Sequence, residues 1–222
     1  MKRIVWICAT AMLCALPMAH AQSCDAAKVL AQMDAASAKF RSTQADFKWD
    51  VLQSVVNEHD IQSGTIYFER HGDATSMAAY IKQPADKSVF YNGSTLTLIQ
   101  PEIKQETIFS ANSQYESFLT LGFGGSGKDL QSNWTVTCQG MESIDGTQTA
   151  KLDLKPKKQS VANMFSHITV WIDPARSLGL KQIFYEPSGD NRTATYTGIQ
   201  YNTKISEDMF KPKDKGYNII RK

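Results

Sequence analysis

The chain lacks the features that mark several large classes of protein. Its four cysteines include no Cys-x-x-Cys pair, so a thioredoxin-like redox centre is not expected. Acidic and basic residues are almost equal in number, 22 against 24. Because a nucleic-acid-binding surface needs a clear excess of positive charge, this balance argues against such a partner. After the first 21 residues, no apolar run approaches the roughly 20 residues that a membrane-spanning helix needs.

The first 21 residues have the three parts of a secretory signal peptide. Lys2 and Arg3 supply positive charge, residues 4–16 are largely apolar, and Ala19-His20-Ala21 has the small residues of a cleavage site. We therefore expect cleavage near Ala21 and export to the periplasm. Residues 22–222 are expected to form one domain, since their number suits a single core. This part carries 22 basic and 22 acidic residues.

Two cysteines remain after the expected cleavage, Cys24 and Cys138. In an oxidising compartment an even pair most simply forms a disulfide. This disulfide would close a loop of about 114 residues. Two alternatives are compatible with the sequence. Both side chains could be free thiols, or Cys24 could be a lipidated N-terminus, although Ala21-Gln22-Ser23 is a poor acylation signal.

The hydrophobic period changes from helical to extended near residue 40. Apolar residues recur at helical spacing over 25–40, where Asp25 is suited to the first turn. Further along, short alternating segments are separated by turn signals such as Asn92-Gly93. A second short helix is predicted at 113–121. Strands are predicted at 45–51, 64–70, 75–82, 88–91, 95–99, 105–109, 134–139, 149–154, 167–172, 180–185 and 192–201.

This order of elements predicts an α+β fold. Antiparallel meanders form a curved sheet with one apolar and one solvated face, and the few helices must cover the apolar face. We interpret the glycine-rich residues 122–127 as a hinge beside the second helix, because glycine permits movement. This segment is not a P-loop, since Asp129 stands where Ser or Thr is required. The tail from Lys211 is expected to be an edge strand or partly loose.

The order and spacing of several short segments resemble one known family. The segments are residues 40–47 (FRSTQADF), 64–70 (GTIYFER), 91–96 (YNGSTL), 152–156 (LDLKP), 168–173 (ITVWID), 201–205 (YNTKI) and 210–212 (FKP). Together they are similar to the bacterial outer-membrane lipoprotein carrier (LolA-like) family over most of the exported part. The chain departs from the best-known members after Arg70. There, His71-Gly72-Asp73-Ala74 replaces a proline followed by bulky aromatic residues.

The resemblance implies an incomplete antiparallel β-barrel whose concave apolar face is covered by helices as a lid. Such proteins shelter the acyl chains of lipoproteins. They receive their load from an inner-membrane lipoprotein-release transporter and deliver it to an outer-membrane acceptor. The alternative is a module of the same fold that binds another lipid or senses envelope stress. No local motif supplies the nucleophile, base and acid of a hydrolase, so we expect a monomeric carrier with no catalytic residues and no cofactor.

The expected site consists of an apolar cavity and one arginine. Arg70 shares a strand face with Ile66 and Phe68, so its guanidinium should reach the covered side, where a buried charge needs partners. In the matching family position the arginine hydrogen-bonds backbone carbonyls of the lid and helps to open and close the cavity. The predicted lining residues are Phe47, Trp49, Val51, Ile66, Phe68, Met77, Ala79, Ile81, Leu96 and Leu98.

The remaining polar clusters are expected to be solvated surface. The histidines His59, His71 and His167 show no metal-ligand spacing, so no metal site is predicted. The charged run at 58–60, Glu58-His59-Asp60, is expected to lie in a turn.

Overall fold

A computed structural model of the chain describes residues 24–72, 74–111 and 118–222. The predicted signal peptide lies outside these ranges, and so do residues 113–117 of the predicted second helix. The α-helices that lie wholly within these ranges are α1 (Ala26–Ser37), α2 (Gly127–Asn133) and α3 (Gln159–Ala162), and residues 118–119 are also helical. The strands are β1 (Ser42–Gln53), β2 (Glu58–His71), β3 (Ala74–Gln83), β4 (Lys87–Tyr91), β5 (Thr95–Gln100), β6 (Gln105–Ser110), β7 (Trp134–Ile144), β8 (Thr147–Pro156), β9 (His167–Asp173), β10 (Leu178–Tyr185), β11 (Asn191–Tyr201) and β12 (Asn218–Arg221).

The strands form one curved sheet that does not close. Their order is β12-β6-β5-β4-β3-β2-β1-β11-β10-β9-β8-β7. Neighbours are antiparallel, apart from β12, which pairs with β6 in parallel. The few helices cover one face of this sheet, which confirms the predicted α+β fold with an incomplete barrel. None of the helices in the described ranges is long and apolar enough to cross a bilayer.

The start of α1 is fixed both by a cap and by a covalent bond. The Asp25 carboxylate accepts a hydrogen bond of 2.9 Å from the backbone N–H of Ala27, as expected for an N-cap residue. The predicted disulfide between Cys24 and Cys138 is present, with 5.6 Å between the two Cα atoms. Because Cys138 lies on the edge strand β7, the disulfide holds the beginning of α1 against that end of the sheet.

The concave face has two halves with different packing. Over β7, β8 and β9, the three helices fill the space with buried side chains such as Leu30, Met33 and Leu130. Over β1 to β4, β10 and β11, a second buried cluster includes Phe40, Phe68 and the loop residue Phe123. The Phe68 and Phe123 rings stack with their centroids 3.8 Å apart. Leu119, which is helical, packs partly buried against this second cluster.

The C-terminal segment crosses the convex face. The Tyr80 hydroxyl donates a hydrogen bond of 2.8 Å to the carbonyl of Met209, in the 3₁₀ turn Glu207–Phe210. Phe210 and Tyr217 pack against a small buried cluster on the same face. The segment ends in β12, which is the edge strand expected of the tail.

The turn of the first hairpin lies earlier than predicted. Residues 54–57 form the turn, and Glu58, His59 and Asp60 belong to β2. Cross-strand pairing explains the difference, because Glu58 lies opposite Gln53 and continues the ladder with β1. The three side chains are nevertheless exposed, as expected.

Candidate apolar binding site

A cavity of about 370 Å³ opens on the less filled half of the concave face. Its walls come from the sheet, from Phe118 and Leu119, and from Phe165 in the segment before β9. Most of the wall is apolar, while Gln62, Arg192 and Thr193 add polar groups. A cavity of this size and character suits a hydrocarbon ligand.

Five of the ten predicted lining residues lie on the cavity wall: Trp49, Val51, Ile66, Met77 and Leu96. The side chains of Phe47, Phe68, Ala79 and Ile81 are buried in the cluster on the same half of the sheet and do not border the cavity. Leu98 is half-buried on β5 and borders neither the cavity nor that cluster in the described residues. The structure thus separates a wall from the packed layer beside it. Contact of either group with a ligand stays a prediction.

The predicted lining does not include the part of the wall that comes from the second half of the chain. β10 and β11 contribute Gln182, Phe184, Ala194 and Tyr196. Because β11 pairs with β1, with Trp49 opposite Ala194, these strands lie beside the predicted wall. A signal was available in the alternation of Gln182 with Phe184, where one polar side chain shares a face with apolar ones. Phe165 lies between α3 and β9 and had no periodic signal.

A chain of buried hydrogen bonds runs along this wall. Trp49 lies on the same wall, and its indole N–H partly opposes the rise in the pKa of Tyr196. The Tyr196 hydroxyl lies 3.5 Å from Oε1 of Gln182, and Nε2 of Gln182 donates to the carbonyl of Leu121 at 2.5 Å. Burial raises the pKa of Tyr196 far above its ordinary value, so its hydroxyl stays protonated and remains a donor.

Arg70 joins the sheet to two parts of its cover. Its Nη1 donates to the carbonyl of Ser37 at 2.7 Å, and its Nη2 donates to the carbonyl of Gly124 at 2.5 Å. The Ser37 hydroxyl donates to the same Gly124 carbonyl at 2.6 Å. The guanidinium also lies 5.4 Å from the centre of the Phe40 ring. Arg70 therefore meets backbone carbonyls of the cover, as the resemblance implied.

Residues 121–126, which we call the glycine loop, are tied closely to the start of β10. The N–H of Gly124 donates to the carbonyl of Ser177 at 2.9 Å, and the N–H of Gly179 donates to the carbonyl of Gly122 at 2.6 Å. Gly122 and Gly124 have φ of +79° and +74°, which side-chain-bearing residues rarely adopt. A Cβ on Gly124 would overlap the Phe40 ring. Close packing therefore explains these glycines, and the hinge expected at residues 122–127 stays a prediction.

A second cavity of about 370 Å³ adjoins the glycine loop on the side of α2. Arg70, Asp129 and Lys158 contribute to its walls, so it is more polar than the first. The described residues contain no group of His, Cys, Asp and Glu side chains that could hold a metal ion. Of these two cavities, the first is the more apolar and is the one that fits a hydrocarbon ligand.

The family model described as outer membrane lipoprotein carrier protein LolA matches residues 38–213. The chain belongs to this family. The matched range includes Arg70, the glycine loop and nearly all of the cavity wall, so the features described above lie within the LolA-like part of the chain. No curated protein matches the chain in sequence.

Solved structures show the same fold. An uncharacterized conserved protein from Thermus thermophilus matches with a TM-score of 0.58 at 11% identity, over 89% of this chain and 99% of that one. MucB matches with a TM-score of 0.56 at 16% identity, over 86% of this chain and 63% of that one. The chain therefore spans less than two thirds of MucB. The Pseudomonas aeruginosa MucA/MucB complex gives a TM-score of 0.53 at 16% identity, over 85% and 61%.

Proposed function

We propose that the chain is a periplasmic carrier that shelters the acyl chains of lipoproteins and takes them toward the outer membrane. The observation that carries this proposal is the apolar cavity on the concave face of the sheet, in a chain of the LolA family. Exposing a hydrocarbon chain to water costs about 0.8 kcal/mol per methylene. A chain of about sixteen carbons therefore represents on the order of 10 kcal/mol, which burial against apolar walls offsets without any catalytic group.

The cavity wall gives this proposal a chemical basis. Trp49, Ile66, Met77, Leu96 and Phe184 present flat or flexible apolar surfaces from five different strands. Methionine in particular adapts to ligands of variable shape, because its side chain is unbranched and polarizable. In this proposal the binding surface is the wall, while Phe47, Phe68, Ala79 and Ile81 support it from the neighbouring packed cluster.

Arg70 acts in this proposal as the switch of the cover. It holds α1 and the glycine loop against the sheet through two carbonyls. Room for acyl chains requires the cover to move, so these bonds must break on loading and form again on release. The proposed partners are acylated lipoproteins, an inner-membrane lipoprotein-release transporter and an outer-membrane acceptor, with the chain acting as a monomer after removal of residues 1–21.

A second function is favoured by the likeness to MucB and to the MucA/MucB complex. A module of this fold could bind another lipid, or bind a protein as a sensor of envelope stress. The sequence also differs from the best-known family members directly after Arg70, where His71-Gly72 replaces proline and aromatic residues next to the cover. The two functions differ in the molecule that travels with the protein.

Native mass spectrometry of the protein isolated from its own periplasm tests the proposal. A bound triacylated lipoprotein supports the carrier, and a different lipid or an envelope protein supports the second function. A direct test uses a synthetic triacylated lipopeptide. Ala194→Phe, which fills the cavity, should weaken binding of this lipopeptide, while Thr197→Phe on the exposed surface of the same strand should not. Absence of any affinity for the lipopeptide or for other lipids would contradict the carrier and the lipid-binding module, and would leave only the protein-binding sensor.

A further inference from the structure

The glycine loop is held by several side chains from the sheet and from α1. Arg70 and Ser37 both donate to the carbonyl of Gly124, the Ser177 hydroxyl donates to the carbonyl of Gly125 at 2.6 Å, and Gln182 donates to the carbonyl of Leu121 at 2.5 Å. Of these four, only Gln182 also borders the concave cavity. Gln182 is therefore the side chain through which the cavity wall and the glycine loop meet.

The surroundings of Gln182 explain why its hydrogen bond to Leu121 depends on what occupies the cavity wall. Its side chain is 3% exposed on a mostly apolar face, where a buried amide needs partners at both ends. One end is strongly bonded to Leu121, while the other end meets the Tyr196 hydroxyl at 3.5 Å, the outer limit for a hydrogen bond. Tyr196 and Trp49 also line the cavity, so the wall brings these three side chains together.

The backbone of the glycine loop packs directly against the Gln182 amide. A Cβ added to Gly122 would lie 2.9 Å from Nε2 of Gln182 and 3.2 Å from Cα of Gly179. Only a glycine at 122 lets the loop approach so closely while adopting its positive φ. A shift of the Gln182 side chain therefore acts directly on the backbone of Leu121 and Gly122.

We propose that Gln182 is a positioning residue that couples occupancy of the cavity to the closure of the glycine loop. An acyl chain lying against Trp49, Tyr196 and Gln182 displaces the amide from the Leu121 carbonyl, and the loop then loses the one tie that faces the cavity. The empty cavity restores the bond and closes the loop. A ligand moves such an equilibrium only by interacting differently with the two states, and here the difference is steric, because the acyl chain and the amide bonded to Leu121 compete for the same space. This inference rests on the proposed lipid-binding function.

Hydrogen–deuterium exchange of the exported chain, with and without a synthetic triacylated lipopeptide, tests the coupling. The amides of Phe123, Gly124 and Gly179 are hydrogen-bonded in the closed loop, so their exchange reports opening. In the wild type, lipopeptide should speed their exchange by roughly threefold or more. In Gln182→Met, which keeps the size and removes the amide, the loop should exchange faster without ligand, and lipopeptide should bind without the further increase.

Ser37→Ala is the matched control, because it removes a tie to the same loop from a side chain that does not border the cavity. It should raise exchange of the empty protein and keep the increase caused by lipopeptide. If the wild type binds lipopeptide and the loop amides do not respond, or if Gln182→Met responds as the wild type does, the coupling is wrong while the lipid cavity stands. If the wild type does not bind lipopeptide, the proposed function fails and this inference fails with it.

Discussion

Arg70 donates to the carbonyl of Gly124 at 2.5 Å, across 54 residues of sequence. The same guanidinium reaches the last residue of α1, Ser37, at 2.7 Å. One side chain thus holds a strand, a helix end and the glycine loop together. Hydrogen bonds from a charged donor are stronger than neutral ones, so the closed cover depends on Arg70 more than on any single apolar contact between these segments.

Replacing Arg70 by leucine should make lipid binding tighter and release slower. The closed, empty form loses two charge-assisted bonds, so opening the cover costs less. For a half-buried group this loss is on the order of 1–2 kcal/mol, and lipopeptide affinity should rise roughly tenfold. Fluorescence titration with a labelled lipopeptide and a release assay with acceptor vesicles measure the two effects.

Arg41→Leu is the control for this change. Arg41 donates to the carbonyls of Ala38 and Phe40 close by in sequence and contacts no part of the glycine loop among the described residues. Its removal should leave affinity and release unchanged. Release from Arg70→Leu at the wild-type rate would show that Arg70 does not act as the switch.

Breaking the Cys24–Cys138 bond should destabilise the protein strongly. The bond closes a loop with a sequence separation of 114 residues. The chain-entropy model gives about 4–5 kcal/mol for a loop of this length. Urea unfolding of the oxidised protein with and without a reducing agent measures the loss. The double variant Cys24→Ser/Cys138→Ser should be as weak as the reduced protein and should not respond to reductant. Equal stability of the oxidised and reduced forms would contradict the expected contribution.

Two glycines near the start of α2 should differ sharply in tolerance. A Cβ on Gly127 would overlap the backbone of Leu30, so α1 and α2 approach each other over this position. Gly127→Ala should therefore push the helices apart and lower the free energy of unfolding by about 1–3 kcal/mol. Gly125→Ala, two residues earlier, meets no atom within 4 Å and should be nearly neutral. Thermal unfolding of the two variants shows whether glycine is required only where a neighbouring backbone is close. Equal melting temperatures would contradict close packing as the reason for Gly127.

Local sequence rules were sufficient for the first part of the chain. Asp25 caps α1, and strict alternation placed Phe47, Ile66 and Phe68 on the covered face, where they are buried. Each of these assignments depends only on neighbours in sequence and on the period of a helix or strand. The LolA-like order of segments then supplied the fold and the position of Arg70.

The rest of the site depends on contacts between distant residues. Tyr196 and Gln182 reach the cavity because β11 pairs with β1, a relationship that alternation cannot give. Glycine content alone predicted a hinge, because composition carries no information about the hydrogen bonds that the loop makes with Ser177 and Gly179. The division of the predicted lining into wall residues and packed residues likewise follows from where Phe40 and Phe123 pack, not from strand period.

The C-terminal segment places Asp214 close to Glu106 of β6 on the convex face. Glu106 on β6 is 4% exposed, and its Oε2 has no hydrogen-bond partner among the residues described. Burial, together with a hydrogen bond to the Asp214 carboxyl and repulsion from it, raises the pKa of Glu106 above its ordinary value, while Arg221 opposes the shift. Folding of this segment therefore strengthens the binding of a proton to Glu106.

Glu106→Gln should stabilise the protein at neutral pH and flatten its stability profile in weak acid. The pKa of Glu106 is higher in the folded than in the unfolded protein. Protonated Glu106 therefore adds to the stability of the wild type below the ordinary glutamate pKa, and this contribution is lost as pH rises through the folded pKa. An amide keeps the shape and carries no charge, so the variant should gain about 1 kcal/mol at neutral pH. Urea unfolding from mildly acidic to neutral pH measures both effects. The exposed Glu102→Gln should reproduce the wild-type profile, and a Glu106→Gln profile parallel to the wild type would exclude Glu106 as the titrating group.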